Sequence, residues 1–307
     1  QRVHIEGRQL EVSNLDKVLF PEVGFTKAQV IDYYVRIAPV LLPHVAHRPV
    51  TFTRWPDGVD GQAFFEKNNA RHAPAWVSTV TVPSPGSSRG RETLDMVLLT
   101  AVPDLVWSAN LAALEVHVPQ WRVDDDGRAQ LPDLLVLDLD PGPGAGVPVC
   151  VHVAHRLRER LADDGLDPVV KTSGSKGLQV YAPIRCADEE HPSRYAKALA
   201  QELSRQTPDD VVWRMEKVLR SGKVLVDWSQ NNTAKTTVAP YSLRARAGAT
   251  VSTPIGWDEV DAVRDGAAPE TLRFDTAAVL ARVEEHGDLF DIEERRRADL
   301  PAVGPAS

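Results

Sequence analysis

Cysteine is almost absent from this 307-residue chain, with Cys150 and Cys186 the two examples. Two thiols cannot build a disulfide framework, and neither belongs to a zinc-ligand spacing, so both are expected to be buried apolar residues. Positive charge is also in short supply, the formal net charge being −8. That excludes a surface coated with basic residues for nucleic acid and leaves room only for local basic strips. Long hydrophobic runs are missing: no stretch approaches the ~18 apolar residues of a membrane span, and no N-terminal segment reads as a secretory signal. A cytoplasmic, nucleoid-associated protein with no membrane partner is expected. No Gly-x-x-x-x-Gly-Lys-[Ser/Thr] sequence occurs, which removes a Walker A phosphate loop from consideration.

What is present is a core-forming composition, 43% hydrophobic, and an uneven charge distribution. From Asp124 to Asp140 the chain carries six acids and one base, whereas from Trp213 to Arg246 it carries seven bases and two acids. An acidic centre and a basic strip in one chain suit metal-bound phosphate chemistry, although solvated faces have the same composition.

The acidic centre contains Leu134-Leu135-Val136-Leu137-Asp138-Leu139-Asp140-Pro141-Gly142. In a strand, Leu135, Leu137 and Leu139 face one way and Val136, Asp138 and Asp140 the other. The two carboxylates then sit about 6–7 Å apart along one face, where both can lean on the same divalent cations. Pro141 and Gly142 end the strand and leave Asp140 at its rim. Lys223-Val224-Leu225-Val226-Asp227-Trp228 repeats the device of an acid closing an apolar strand. Three carboxylates on two strand ends would suit hard, oxygen-seeking ions.

The surrounding elements follow from periodicity. Thr26 is placed to cap a helix from 27 to about 42, with Lys17 and Lys27 near the two ends of one short loop and Asn14 in the turn before it. Residues 50–58 read as a strand and turn. Phe64 and Phe65 follow; adjacent strand residues face opposite ways, so one is expected to be exposed and available to stack on a base. Residues 82–91 read as a loop, 105–114 as a helix and 115–121 as a strand carrying His117. That strand precedes the aspartates, an order expected to bring His117 near them. An amphipathic helix at 149–162 and strands at 168–172 and 178–181 complete a βαββ pattern. The last two strands are joined by Ser173-Gly174-Ser175-Lys176-Gly177. Glycines flanking the Ser-Lys pair would let backbone N–H groups turn inward as an anion nest.

Taken together, Leu15-Asp16-Lys17-Val18-Leu19-Phe20-Pro21, Arg54-Trp55-Pro56-Asp57-Gly58, Phe64-Phe65-Glu66-Lys67, Glu115-Val116-His117-Val118-Pro119-Gln120-Trp121, the Asp-x-Asp strand, Thr172-Ser173-Gly174-Ser175-Lys176-Gly177-Leu178 and Val226-Asp227-Trp228-Ser229-Gln230-Asn231 resemble, in order, the polymerase domain of bacterial DNA ligase D, a branch of the archaeo-eukaryotic primase superfamily. The resemblance implies an α+β primase-polymerase fold of mixed and antiparallel sheets, with a βαββ, RRM-like catalytic module and an N-terminal αβ module. It implies one catalytic domain over 1–300 (modules 1–110 and 111–250, helical extension 251–300) and a tail at 301–307.

The same resemblance implies a template-dependent nucleotidyltransferase that extends primers and fills short gaps in end-joining repair, favouring ribonucleotides. Asp138, Asp140 and Asp227 would hold two Mn2+ or Mg2+ ions. His117, Ser173, Gly174, Ser175, Lys176, Gln179, Gln230 and Arg244 would meet the nucleoside triphosphate. Asn14, Lys17, Lys27, Arg54, Phe64, Phe65, Arg220 and Lys235 would meet DNA with gapped or 5′-phosphorylated ends. A separate ligase and an end-binding protein are the implied partners. Gln179 departs from the family pattern, which places His there, and the strand before Arg54 carries Thr53 where a basic residue is common. A primase that starts chains de novo and a catalytically silent DNA-end-binding module are the alternatives; the lysine pair favours gap filling and the clustered acids argue against a silent module.

Overall fold

The computed structural model describes residues 1–70, 72–84 and 92–302. Most of the expected loop at 82–91 and of the tail at 301–307 lies outside the described residues. The chain separates into two compact units interleaved in sequence. The first comprises 1–130, 236–252 and 274–287, and the second 131–235, 253–273 and 288–307.

In the first unit, the helix Lys27–Val45 starts where Thr26 accepts from the Gln29 amide and the Gln29 side chain returns to the Thr26 amide, closing a capping box. Its Val30, Tyr33, Tyr34, Ile37 and Leu41 are buried. The two tyrosine hydroxyls donate to the carbonyls of Tyr241 (2.8 Å) and Leu114 (2.7 Å), so the polar tips of the core aromatics are satisfied. The neighbouring helix is Val102–Asn110, not the expected 105–114. It begins early because Asp104 accepts from Thr100 and Ala101 at its N-terminus, and it stops because Ala112 adopts φ +57° and Ala113 opens a strand. A four-stranded antiparallel sheet runs in the order Thr237–Val238, Ala113–Val118, Thr51–Arg54, Phe64–Glu66.

The second unit is built on a sheet ordered Val211–Val212, Val224–Asp227, Leu134–Pro141, Leu178–Arg185, Val169–Thr172, Pro254–Ile255. All neighbours in that order are antiparallel except the first pair. The helix Val147–Asp163 joins the aspartate strand to Val169–Thr172, giving the βαββ order. Leu135, Val136, Leu137 and Leu139 are all 0% exposed, so the aspartate strand is buried on both faces up to its acidic end. Val136, Val169 and Tyr181 pack on one side with Phe290 and Ile292. The Tyr181 and Phe290 rings meet edge to face at 5.3 Å. The acids therefore extend a hydrophobic face past the point where apolar cover ends. Among the described residues, no helix is long and apolar enough to cross a membrane.

Gly177 is where the turn after Val169–Thr172 meets the aspartate strand: a Cβ there would lie 1.9 Å from the Leu139 carbonyl oxygen. Backbone cannot yield to that overlap cheaply. Gly177→Ala should lose about 2–3 kcal/mol of stability, read as a lowered denaturant midpoint; an unchanged midpoint would show that the two backbones separate freely.

Candidate active site

The acidic end of the second unit's sheet is organised by register. Asp138 stands directly opposite Asp227 on one neighbouring strand and opposite Gln179 on the other, while Asp140 lies opposite Leu225. The two strand ends that carry these acids are thus neighbours, a pairing that alternation within either strand does not give. Each acid has its own hydrogen-bonded setting. Asp227 Oδ1 accepts from the Ser229 amide (3.0 Å) and hydroxyl (2.5 Å), and its Oδ2 accepts from Gln230 Nε2 at 2.9 Å. Asp138 Oδ1 accepts from Gln179 Nε2 at 3.1 Å. Asp140 accepts from Arg220 at 3.3 Å, and the same guanidinium donates to the Met215 carbonyl. Lys235 donates to the Ser229 hydroxyl beside Asp227. Among the described residues, no three His, Cys, Asp or Glu side chains already gather round one point, because Asp140 is turned to Arg220 while Asp138 and Asp227 face each other.

Like charges opposite each other on adjacent strands repel, and the cost is visible at Asp138. Burial raises its pKa first; the Gln179 hydrogen bond lowers it, the Asp227 charge raises it, Lys171 lowers it and Asp140 raises it, leaving it at about 6.

The turn after Val169–Thr172 brings Ser173, Gly174, Ser175 and Lys176 into the same unit. Gly174 takes φ +66°, as the nest geometry requires. The Ser175 and Gly177 amides do turn inward, but onto the turn's own Ser173 hydroxyl, at 3.2 and 3.1 Å. Ser173 is therefore the atom that pre-shapes this loop, with Ser175 and Lys176 exposed at its tip.

The remaining expected site residues belong to the first unit. His117 bonds Glu115 at 2.9 Å, and Arg244 donates to the other Glu115 oxygen at 3.0 Å. Burial would raise the Glu115 pKa, but the His117 hydrogen bond, the Arg244 and His117 charges and the Ala245 amide bring it down to about 2. Glu115 was not singled out in the sequence; its signal was the i, i+2 spacing that puts it on the His117 face of the strand. Lys27 is buried, with its ammonium on the Ser13 and Asn110 carbonyls at 2.9 and 2.8 Å. Burial first, and the Lys17 charge second, lower its pKa. Lys17 pairs with Asp57 at 3.0 Å, and its amide bonds the carbonyl of Asn14, which takes φ +53°. The Lys27 amide bonds the Lys17 carbonyl at 2.9 Å, so the two lysines do bracket one hairpin. Arg54 is held by Glu66 at 2.8 Å and by the Leu111 carbonyl at 2.9 Å. Phe64 and Phe65 are both exposed, at 47% and 55%, where one was expected. Their strand lies at one edge of its sheet.

A mixed, largely antiparallel sheet with a βαββ core and facing aspartates at its end defines a primase-polymerase fold. Comparison with known proteins makes the assignment specific: residues 26–290 match the primase-polymerase domain of LigD, and the chain belongs to that family. It is 44% identical over 285 residues to the multifunctional non-homologous end joining protein LigD of Mycolicibacterium smegmatis, covering 92% of this chain and 36% of that protein. It is 45% identical over 305 residues to the corresponding DNA repair protein of Mycobacterium tuberculosis, covering 96% and 38%. The chain therefore spans less than two fifths of the length of these relatives. The solved structure of the polymerase domain from Mycobacterium tuberculosis ligase D in complex with DNA superposes with a TM-score of 0.85 at 42% identity, covering 92% of this chain and 96% of that one.

The Asp138 titration carries a definite sign. Its folded pKa of about 6 exceeds the ordinary 3.8, so the folded protein holds this proton more tightly than the unfolded chain. That contribution to stability is present below the ordinary range and is lost as pH rises through about 6. Without divalent ions, the Asp138 carboxyl carbon should titrate near pH 6 by NMR. Asp227→Asn should move that midpoint down; an unmoved midpoint would show that the facing charge is not felt.

Proposed function

We propose that this chain is a template-dependent nucleotidyltransferase that extends primers and fills short DNA gaps during end joining, taking nucleoside triphosphates and favouring ribonucleotides. The observation that carries this reading is the facing pair Asp138 and Asp227, each oriented by an amide donor, at the uncovered end of a buried strand. Such a donor set fits hard divalent ions, Mn2+ or Mg2+: the oxygens are carboxylates, and Asp138 and Asp227 stand directly opposite each other, so a cation between them would relieve their repulsion. Asp138 and Asp227 would hold the ions, and Asp140 would join them on leaving Arg220. When bound, a pair of such ions supplies activation of the primer 3′-hydroxyl and neutralisation of the leaving pyrophosphate.

The residues' own contributions follow from their settings. Ser229 and Gln230 fix both oxygens of Asp227. The Ser173 turn presents Ser175 and Lys176 to an anionic triphosphate, with an ammonium available where the chain is exposed. In the first unit, Glu115 holds His117 and Arg244 side by side as a prepared pair of side chains for phosphate. Phe64 and Phe65 offer uncovered rings to a templating base. Lys17, beside buried Lys27, would receive the 5′-phosphate on the far side of a gap. Arg54, Arg220 and Lys235 would contact the DNA or nucleotide backbone. The DNA named in the solved mycobacterial complex supports nucleic acid as the partner class. A separate ligase and an end-binding protein would complete the repair.

Extension of a labelled primer across a one-nucleotide gap, with ribo- or deoxynucleotides in Mg2+ or Mn2+, tests the reading. Asp227→Ala should abolish addition and leave DNA binding near normal; retained extension would remove Asp227 from the metal site. Lys17→Ala tests gap recognition more cleanly than a change at Lys27, whose removal would strand two carbonyls. Loss of one phosphate contact of about 1–2 kcal/mol should weaken binding to a 5′-phosphorylated gap roughly 5- to 30-fold. At the same salt concentration, binding to a 5′-hydroxyl gap should scarcely change. Equal weakening on both DNAs would make Lys17 a generic backbone contact.

A further inference from the structure

A transverse row of polar side chains crosses the second unit's sheet. Lys171 stands opposite Gln179, Gln179 opposite Asp138, and Asp138 opposite Asp227, on four successive antiparallel strands. Residues directly opposite one another project from the same face, so the row reads positive, neutral, negative, negative. Its positive end is the least expected member. Lys171 lies in a short apolar strand and is 0% exposed. Its Nζ donates to Gln179 Oε1 at 2.5 Å and sits 5.6 Å from the centre of the Tyr181 ring. An ammonium carries donors only, so it meets the oxygen of the Gln179 amide; the NH2 end is thereby turned to Asp138, where it donates at 3.1 Å.

A buried ammonium is costly unless negative charge lies within reach, and two buried or half-buried carboxylates facing each other are costly unless positive charge does. Each end of this row answers the requirement of the other.

We propose that Lys171 is the resident counter-ion of the Asp138–Asp227 pair, joined to it through the Gln179 amide, and that it holds the two carboxylates opposite each other before a divalent cation arrives. This rests on the pair being the metal site. The charge that stabilises the metal-free pair opposes a bound cation, so Lys171 also keeps metal affinity below what the carboxylates alone would give. It acts on the ligands as a positioning residue and does not touch the reacting atoms.

The experiment compares wild type, Lys171→Met, Asp138→Asn and the double variant, by thermal midpoint in EDTA and by Mn2+ titration followed by electron paramagnetic resonance without nucleotide or DNA. Lys171→Met should melt lower in EDTA, and adding Asp138→Asn should recover at least half of that loss, because the uncompensated charge has been removed. The Mn2+ dissociation constant of Lys171→Met should fall about tenfold, and Mn2+ should raise its midpoint more than it raises that of wild type. Unchanged or weaker Mn2+ binding, or purely additive losses in EDTA, would overturn the proposal. If Lys171→Met does not fold in EDTA, recovery of folding in the double variant supports the counter-ion role and continued failure overturns it. Absence of Mn2+ binding by wild type would fall on the metal-site reading, while the EDTA comparison still decides whether Lys171 and Asp138 are charge-coupled.

Discussion

Two carboxylates placed directly across an antiparallel strand pair repel each other, and much of the second unit can be understood as the means of holding them there. The strand that carries Asp138 is buried on both faces as far as Leu139. The repulsion therefore acts at the end of an element that the core has already fixed. Asp227 is held by donors from its own following turn, Asp138 by an amide from the strand on its other side, and Asp140 by a guanidinium. Each of the three acids has its own donor, while their charges remain coupled through space.

Position 179 shows how one neutral side chain can meet two opposite hydrogen-bonding demands. The site requires a group that donates towards Asp138 and accepts from Lys171. A neutral imidazole meets that pair of demands in one tautomer only, whereas an amide meets it at every working pH. Gln179 is buried between those two partners. A direct role for it in grasping a triphosphate competes with contacts it already makes.

The first unit solves a different electrostatic problem. His117 and Arg244 are both donors and would repel when charged, and the buried carboxylate of Glu115 joins them. Because that carboxylate is held at about 2, below the ordinary range, its stabilising contribution is in place above that range and fades as pH falls through it. The lysine hairpin uses backbone in place of a carboxylate: carbonyls of Ser13 and Asn110 immobilise Lys27, leaving Lys17 as the more accessible cation.

Much of this was legible in the chain itself. Alternation put Asp138 and Asp140 on one face, Pro141 and Gly142 ended their strand, Thr26 fixed a helix start, and the order strand, helix, strand, strand is local in sequence. These features depend on neighbours within a few residues, which is why pattern alone determined them. Residues 105–114 read as one helix because their apolar periodicity runs on into the next strand, whereas the capping by Asp104 and the left-handed turn at Ala112 set the helix at Val102–Asn110. Register belonged wholly to the tertiary structure. That Asp138 faces Asp227, that Gln179 lies beside it and that Lys171 closes the row follow from pairings between strands up to 89 residues apart, counted from Asp138 to Asp227. A one-residue slip in any of those pairings would send the side chains to opposite faces. The sequence by itself determined which residues were available for the site; the packing of distant strands decided which of them meet.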